Sequence, residues 1–229
     1  MVGGKKYMKK SSKRDKVFAK GFNFKKIFIF FVIGCLFGTY YEELLWLFTH
    51  HELTNRQGLF YGPFSPIYGL GVIVFVIFLG KNNDNRSNLK TFIYSMFIGG
   101  GTEYLTSVIA EYVFSAKYWD YSNKFLNING RTTIPFMIFW GLLGLVLMKV
   151  IYPKISNLIE CIPYKIGTIC YYILFVFIIF DLFVTYSALF RMSERDKGHE
   201  AITFIGNIYD KKYTDEYIYD KFPIMSKSD

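Results

Sequence analysis

Three polar side chains share one face of a segment that is otherwise apolar. Glu103, Ser107 and Glu111 follow one another at i, i+4 and i+8. At 100° per residue they cover about an 80° sector of a helix, so they form one polar stripe. Such a stripe must face protein or water rather than lipid. The stripe has two possible roles. It could line a polar cavity that opens to the outside, or it could form hydrogen bonds that hold neighbouring helices together.

Two further acids lie at similar depth in other apolar segments. At 1.5 Å per residue, Glu42 lies about 22 Å from the inner edge of its segment, and Glu103 and Asp181 lie about 21 Å from theirs. A charge at the bilayer midplane costs about 2.5–3.5 kcal/mol on insertion scales. Lys149 lies near the inner end of its segment and can reach the interface. We therefore expect the acids to cluster in the outer half of a membrane.

A loop between two apolar segments contains the cation that could complete this site. It includes Trp119 and Asp120 and ends at Arg131, directly after the turn signal Asn129-Gly130. Trp119 is typical of the interfacial aromatic belt. Arg131 can pair with Glu111, Asp120 or Glu42, either to latch the loop or to hold a carboxylate or phosphate.

A second irregular feature interrupts an apolar segment with prolines and glycines. Gly62, Pro63, Pro66 and Gly69 lie close together, with Tyr68 among them. Residues 58–66 are therefore expected to be irregular backbone at membrane depth, which needs protein or water beside it. Such an interruption points to a transport or binding site, or alternatively to a kink at the outer interface.

The elements that must position these residues are membrane-spanning helices. The 229 residues are 52% apolar and 21% aromatic, with a mean hydropathy of +0.23, which excludes a disordered, collagen-like or small disulfide-bonded chain. Three cysteines cannot all pair with one another. A crossing needs about 20 helical residues. We predict an all-α, polytopic transmembrane bundle with about five spans, near residues 27–48, 59–80, 89–114, 132–152 and 167–190.

The charge distribution predicts the orientation. Residues 1–26 contain ten Lys/Arg and one acid, whereas the remaining residues contain 17 of each sign. A basic arm next to an apolar helix is typical of a cytoplasmic N-terminus that touches anionic lipid, so nucleic-acid binding is not expected. Five crossings then leave residues 191–229, a polar and Tyr-rich tail, outside. That tail is either a small amphipathic helix or a solvated extension.

The first apolar segment has one competing interpretation. Val32-Ile33-Gly34-Cys35 resembles a lipoprotein cleavage site, but the apolar run continues to Phe48. We therefore expect the segment to be retained as a span. Segments 1–2 and 3–4 would form two hairpins of the same orientation, because each outer loop contains Asn, Arg and Gly and leads into a helix with proline.

Several motifs together identify a family. They are Gly38-Thr39-Tyr40-Tyr41-Glu42, Gly62-Pro63-Phe64-Ser65-Pro66-Ile67-Tyr68-Gly69, Gly101-Thr102-Glu103-Tyr104-Leu105-Thr106-Ser107, Tyr118-Trp119-Asp120-Tyr121-Ser122 and Asn127-Ile128-Asn129-Gly130-Arg131. In these motifs the chain resembles the putative ABC-transporter type IV family of bacterial integral membrane proteins. The resemblance covers about half of the chain, from Gly38 to Pro153.

The resemblance implies a permease-like subunit in the cell membrane that handles a small solute. The chain contains no Gly-x-x-x-x-Gly-Lys-Ser/Thr loop, so an ATPase would be a separate partner. We expect no cofactor and no metal, since His50 and His51 are adjacent loop residues. The glycines Gly34, Gly38 and Gly99–Gly101 allow close helix approach, within the chain or in a homo-oligomer.

Two other functions remain open. One is an enzyme of the outer leaflet that acts on a lipid-linked substrate, with Glu42 and Asp120 as acid and base and Arg131 on a phosphate. The other is a non-catalytic assembly partner, in which the charges only hold the helices together.

Overall fold

The computed structural model describes residues 17–114 and 119–223, and nearly all of its regular structure is helical. One short antiparallel hairpin, formed by the two-residue strands β1 and β2, interrupts the helices. The elements in chain order are α1 (Phe24–His50), α2 (Pro66–Leu79), α3 (Asn88–Phe114), β1 (Asn127–Ile128), β2 (Thr132–Thr133), α4 (Ile134–Val146), a π-helical turn (Leu147–Ile151), α5 (Tyr152–Glu160), α6 (Tyr164–Asp196), α7 (Phe204–Lys212) and α8 (Asp215–Lys221).

Three continuous helices of the described chain are long and apolar enough to cross a membrane. They are α1, the run Ile134–Glu160 that joins α4 to α5, and α6. The helices expose many large apolar side chains, as lipid-facing surfaces do; Phe183 on α6 is 65% exposed. The chain is therefore an all-α membrane helical bundle, as its composition predicts.

The Gly/Pro-rich segment before α2 is irregular but well anchored. The N–H of Gly58 donates to the carbonyl of Phe64 at 2.8 Å, and the N–H of Ser65 donates to the carbonyl of Cys35 in α1 at 3.2 Å. Gly62 adopts a positive φ of 92°. Helix α2 begins at Pro66, where the missing N–H costs nothing. The expected irregular backbone is present, and protein groups satisfy it.

The helix expected to end at Tyr152 continues to Glu160, past Pro153. A proline inside a helix clashes with the carbonyl four residues earlier, here that of Lys149. The π-helical turn Leu147–Ile151 lies at this position, and the Asn83 side chain donates to the Met148 carbonyl at 2.7 Å. Lys149 Nζ donates to the carbonyls of Asn83 and Arg86, each at 2.5 Å. The loop between α2 and α3 is thus fixed to the helix that contains the proline.

Glycines bring the helices of each hairpin together. A Cβ on Gly38 of α1 would lie 2.1 Å from the Tyr68 ring of α2, and one on Gly99 of α3 would lie 2.4 Å from Cβ of Trp140 in α4. Gly34 packs against Gly69 across the first hairpin. The close approach that the small residues predict therefore occurs within the chain.

A buried lysine joins two helices at the end of the bundle opposite the loop between α1 and α2. Lys26, at the start of α1, donates to Ser156 at 2.6 Å and to Glu160 at 2.5 Å. Glu160 also accepts from the N–H of Gly21 at 2.9 Å. These bonds join α1 to α5.

Residues 191–223, the part of the C-terminal tail that the structure describes, are folded. Helix α6 extends to Asp196, and α7 and α8 (together, the C-terminal cap) pack back on it. Arg191 holds Asp210 through two hydrogen bonds of 2.8 and 2.9 Å. The Phe60 ring, from the segment before α2, stacks on Tyr213 with ring centroids 5.0 Å apart. The cap therefore lies on the same side of the bundle as the loop between α1 and α2.

Candidate functional site

Glu103 on α3 is the centre of the polar stripe in the second hairpin, α3–α4. Its Oε2 accepts from Thr132 at 2.7 Å and from the indole of Trp140 at 3.4 Å, and its Oε1 accepts from Tyr121 at 3.2 Å. These three donors are uncharged. Burial, together with the adjacent Glu103, raises the pKa of Tyr121, so its hydroxyl stays protonated and able to donate.

Arg131, from the loop after α3, binds the next two residues of the same stripe. Its Nη1 donates to Ser107 at 3.1 Å and its Nη2 forms an ion pair with Glu111. Its guanidinium carbon lies 5.9 Å from the centre of the Tyr104 ring. Of the three acids that the sequence offers as partners, Arg131 pairs with Glu111. The i, i+4, i+8 stripe is thus one continuous contact line between α3 and the loop.

The turn before Arg131 places its side chain. Asn129 and Gly130 have positive φ values of 52° and 67°, and the N–H of Arg131 donates to the carbonyl of Ile128 at 3.0 Å. Asn and Gly tolerate this backbone better than other residues. The Trp119 indole donates to the Arg131 carbonyl at 2.8 Å. Asp120 accepts from the side chain of Ser122 at 2.6 Å, within its own turn.

Glu42 forms a separate cluster in the first hairpin, α1–α2. The Tyr68 hydroxyl donates to its Oε1 at 2.6 Å, and Arg56 Nε lies 3.5 Å from its Oε2. The Arg56 guanidinium carbon lies 4.5 Å from the centre of the Trp46 ring. Glu42 and Glu103 therefore bind different groups, and Glu42 and Asp120, the acid and base of the enzyme hypothesis, also have different partners.

The two clusters have equivalent contacts in the two hairpins. In each, a glycine on the first helix packs on an aromatic residue of the second, and that aromatic residue donates to a glutamate one turn after the glycine. In each, an arginine from the loop that follows the first helix contacts the residue one turn after that glutamate. The sets are Gly38, Tyr68, Glu42, Arg56 and Trp46 in the first hairpin, and Gly99, Trp140, Glu103, Arg131 and Ser107 in the second.

The spacing of the sequence agrees with this equivalence. Pro63 precedes Tyr68 by five residues and Gly69 follows it, while Pro135 precedes Trp140 by five and Gly141 follows it. The similarity of the two loops predicts that the hairpins α1–α2 and α3–α4 form a parallel repeat, and the contacts within the two hairpins repeat as well. Arg56 is the loop arginine that the sequence repeat predicts, and the repeat of contacts adds Trp46 and Trp140, which no sequence pattern indicated. Thr132 gave no sequence signal and Tyr121 stood out only as part of a family motif, because the contacts of both with Glu103 depend on the fold of the loop.

Asp181 lies elsewhere, fully buried on α6. Its carboxylate oxygens accept from the N–H of Tyr61, each at 3.2 Å, and from Thr185 at 3.2 Å. The Thr185 hydroxyl in turn accepts from the N–H of Phe60 at 3.0 Å. This acid therefore fixes the irregular segment before α2, which includes the predicted break at Gly62, Pro63 and Pro66.

Two further features bear on what the chain can bind. Among residues 17–114 and 119–223, no group of three or more His, Cys, Asp and Glu side chains could hold a metal ion. A surface groove of about 640 Å³ lies between α6 and α7 and is lined mainly by apolar side chains such as Phe183, Phe190 and Ile205. Its lining residues belong to α6 and the C-terminal cap, away from the Glu103 cluster.

Comparison with protein families identifies the core of the bundle. The sequence model of the putative ABC-transporter type IV family matches residues 29–186. That range contains both hairpins and most of α6. The chain belongs to this family. As a putative ABC-transporter type IV protein, it is a membrane protein associated with transport. No curated protein and no solved structure matches it.

Proposed function

We propose that the chain is a permease-like membrane component of an ABC-type transporter that handles a small solute. It crosses the cell membrane about five times with its N-terminus in the cytoplasm, and a separate ATPase subunit drives it. The basic arm of residues 1–26 and the family support this arrangement. The loops after α1 and α3 and the C-terminal cap then face outward.

The observation that supports a site most strongly is the setting of Glu103. Its carboxylate lies in the outer half of the bundle among apolar helices and accepts hydrogen bonds from three uncharged donors. Ionisable groups at this depth are costly and mark solute or ion pathways. We propose that Glu103, with Ser107, Glu111 and Arg131, lines the outward part of the pathway, and that Glu42 and Tyr68 line its counterpart in the first hairpin.

A non-catalytic assembly partner is the second candidate. The ion pair of Arg131 with Glu111 favours it, because this pair fixes the outer loop to α3 with groups from the chain alone. In that function the acids would stabilise the bundle without contacting a solute.

Glu103→Gln separates the two candidates. The variant keeps the size of the side chain and removes its charge, and the hydroxyls of Thr132 and Tyr121 can still bond to the amide. The solute is first identified as the compound whose cellular content changes when the chain is deleted. We expect Glu103→Gln to insert normally but to abolish movement of this compound, with Glu52→Gln in the exposed outer loop as the control. Wild-type transport by Glu103→Gln would exclude the proposed pathway.

A further inference from the structure

The two loop arginines occupy equivalent positions but differ in how their N–H groups are satisfied. Arg131 donates to Ser107 and pairs with Glu111. Arg56 has Trp46 at the position equivalent to Ser107, and its Nε and Nη1 atoms are buried without a hydrogen-bond acceptor among the described residues. The Trp46 indole nitrogen is buried without an acceptor in the same way.

Such unsatisfied donors are costly in a folded protein. Most buried polar atoms have a hydrogen-bond partner, and each exception calls for an explanation. The Arg56 side chain is only 15% exposed, and its closest acid, Glu42, approaches Nε at 3.5 Å without forming a hydrogen bond. Glu42 is already held by the Tyr68 hydroxyl at 2.6 Å. The Nε and Nη1 atoms of Arg56 therefore have no hydrogen-bond acceptor among the described residues.

The geometry around Trp46 brings these donors together. The Arg56 guanidinium carbon lies 4.5 Å from the centre of the Trp46 ring. The His50 ring stacks on Trp46 with centroids 3.6 Å apart and planes within 11°. Because His50 is one turn further along α1, this stack fixes the indole and its N–H. Guanidinium and indole N–H groups next to each other suit the oxygens of a carboxylate or a phosphate.

We propose that Arg56 and Trp46 form a binding site for an oxyanion, either a phosphate or a carboxylate group, at the outer end of the first hairpin. The group belongs to the transported solute or to a lipid headgroup beside α1. This inference rests on the proposed function, since it gives the chemical class of the ligand. The equivalent Arg131 already donates to Ser107 and pairs with Glu111.

The test measures binding by calorimetry to the purified full-length chain in phosphatidylcholine nanodiscs. The probes are sodium phosphate and sodium acetate, with sodium chloride at matched ionic strength as the blank. We expect saturable binding of at least one oxyanion. Arg56→Gln should weaken it by about tenfold or more, since hydrogen bonds to charged groups are the strong ones. Lys124→Gln, which removes a positive charge from an exposed residue of the loop after α3, is the control and should leave the affinity unchanged.

Two further arms complete the test. Trp46→Phe keeps an aromatic face for Arg56 but removes the indole N–H, and we expect it to weaken binding severalfold even where Arg56→Gln fails to fold.

In nanodiscs that contain phosphatidylglycerol, loss of the response to added phosphate assigns the site to a lipid headgroup, and a retained response assigns it to a solute. Absence of binding in every arm, or equal binding by Arg56→Gln, would overturn the inference. Transport that still depends on Glu103 would leave the proposed function intact.

Discussion

Gly38 of α1 lies directly against the ring of Tyr68 of α2, so that a Cβ on Gly38 would fall 2.1 Å from Cγ of the tyrosine. The same tyrosine donates its hydroxyl to Glu42, one turn further along α1. The glycine thus sets the helix distance at which the carboxylate and the hydroxyl meet.

Replacing that glycine should separate the two helices. Gly38→Ala forces the Tyr68 side chain or α2 to move, and overpacking of this kind costs about 1–3 kcal/mol. We expect a lower unfolding temperature in detergent. Gly71→Ala on α2 is the control, because a Cβ there meets nothing within 4 Å. Equal melting of Gly38→Ala and wild type would show that the helices are not in this contact.

The ion pair of Arg131 with Glu111 should hold the loop after α3 against that helix. Glu111 is half exposed, so we expect Glu111→Gln to cost less than about 1 kcal/mol. Arg131→Gln should cost more, because it also loses the bond to Ser107. The double exchange Glu111→Arg with Arg131→Glu should recover part of the loss, measured as protection of the loop from proteolysis. A double variant less protected than either single variant would argue against direct pairing.

The C-terminal cap should detach in acid. The hydrogen bonds from Arg191, together with those from Arg195, hold the pKa of Asp210 below its usual range. The pKa of Asp210 is therefore lower in the folded cap than in the unfolded chain, where it is about 3.9. The ionised carboxylate stabilises the cap fully at pH values above about 3.9, and this stabilisation is lost as the pH falls through the pKa of the folded state. We expect the near-UV circular dichroism of the tyrosines to be flat from pH 7 to pH 5 and to fall below about pH 4.

Asp210→Asn provides the control for the acid transition. It removes the carboxylate at every pH, so its near-UV signal at pH 6 should already be lower than that of wild type. A signal identical to wild type at pH 6 would mean that the pairs with Arg191 and Arg195 do not hold the cap.

Lys26 should anchor the inner end of the bundle. Lys26→Met removes the ammonium from Ser156 and Glu160, but Glu160 is 29% exposed and keeps its bond from the N–H of Gly21. We therefore expect a loss of about 1–3 kcal/mol in unfolding free energy, less than for a fully buried pair. Lys20→Met, on an exposed residue, should have no effect on unfolding in SDS. A Lys26→Met protein as stable as Lys20→Met would contradict the anchor.

The sequence predicted the parts of the fold that follow from local hydropathy. The apolar runs gave α1 and α3 to within three residues at each end, and the proline and glycine pattern predicted the irregular segment before α2. The continuation past Pro153 was missed, because it depends on a π-helical turn and on Asn83, which is distant in the sequence. The sequence left the tail open between a helix and a solvated extension, because Phe60 and Tyr213 meet only in three dimensions.

The placement of the candidate site residues on their helices followed from the sequence to the same extent. Helical spacing placed Glu103, Ser107 and Glu111 on one face, and the Asn-Gly turn marked the position of Arg131. Arg56 lies in a long irregular loop where no periodicity predicts a side-chain direction, so its stack on Trp46 could only come from the structure.

The measurement that most directly tests the account is affinity purification of the tagged chain from its native membrane in mild detergent. We predict that a subunit with a nucleotide-binding loop co-purifies and that the complex hydrolyses ATP. Recovery of the chain alone, with no ATPase at any detergent concentration that keeps the bundle folded, would contradict its assignment as the membrane component of an ABC-type transporter.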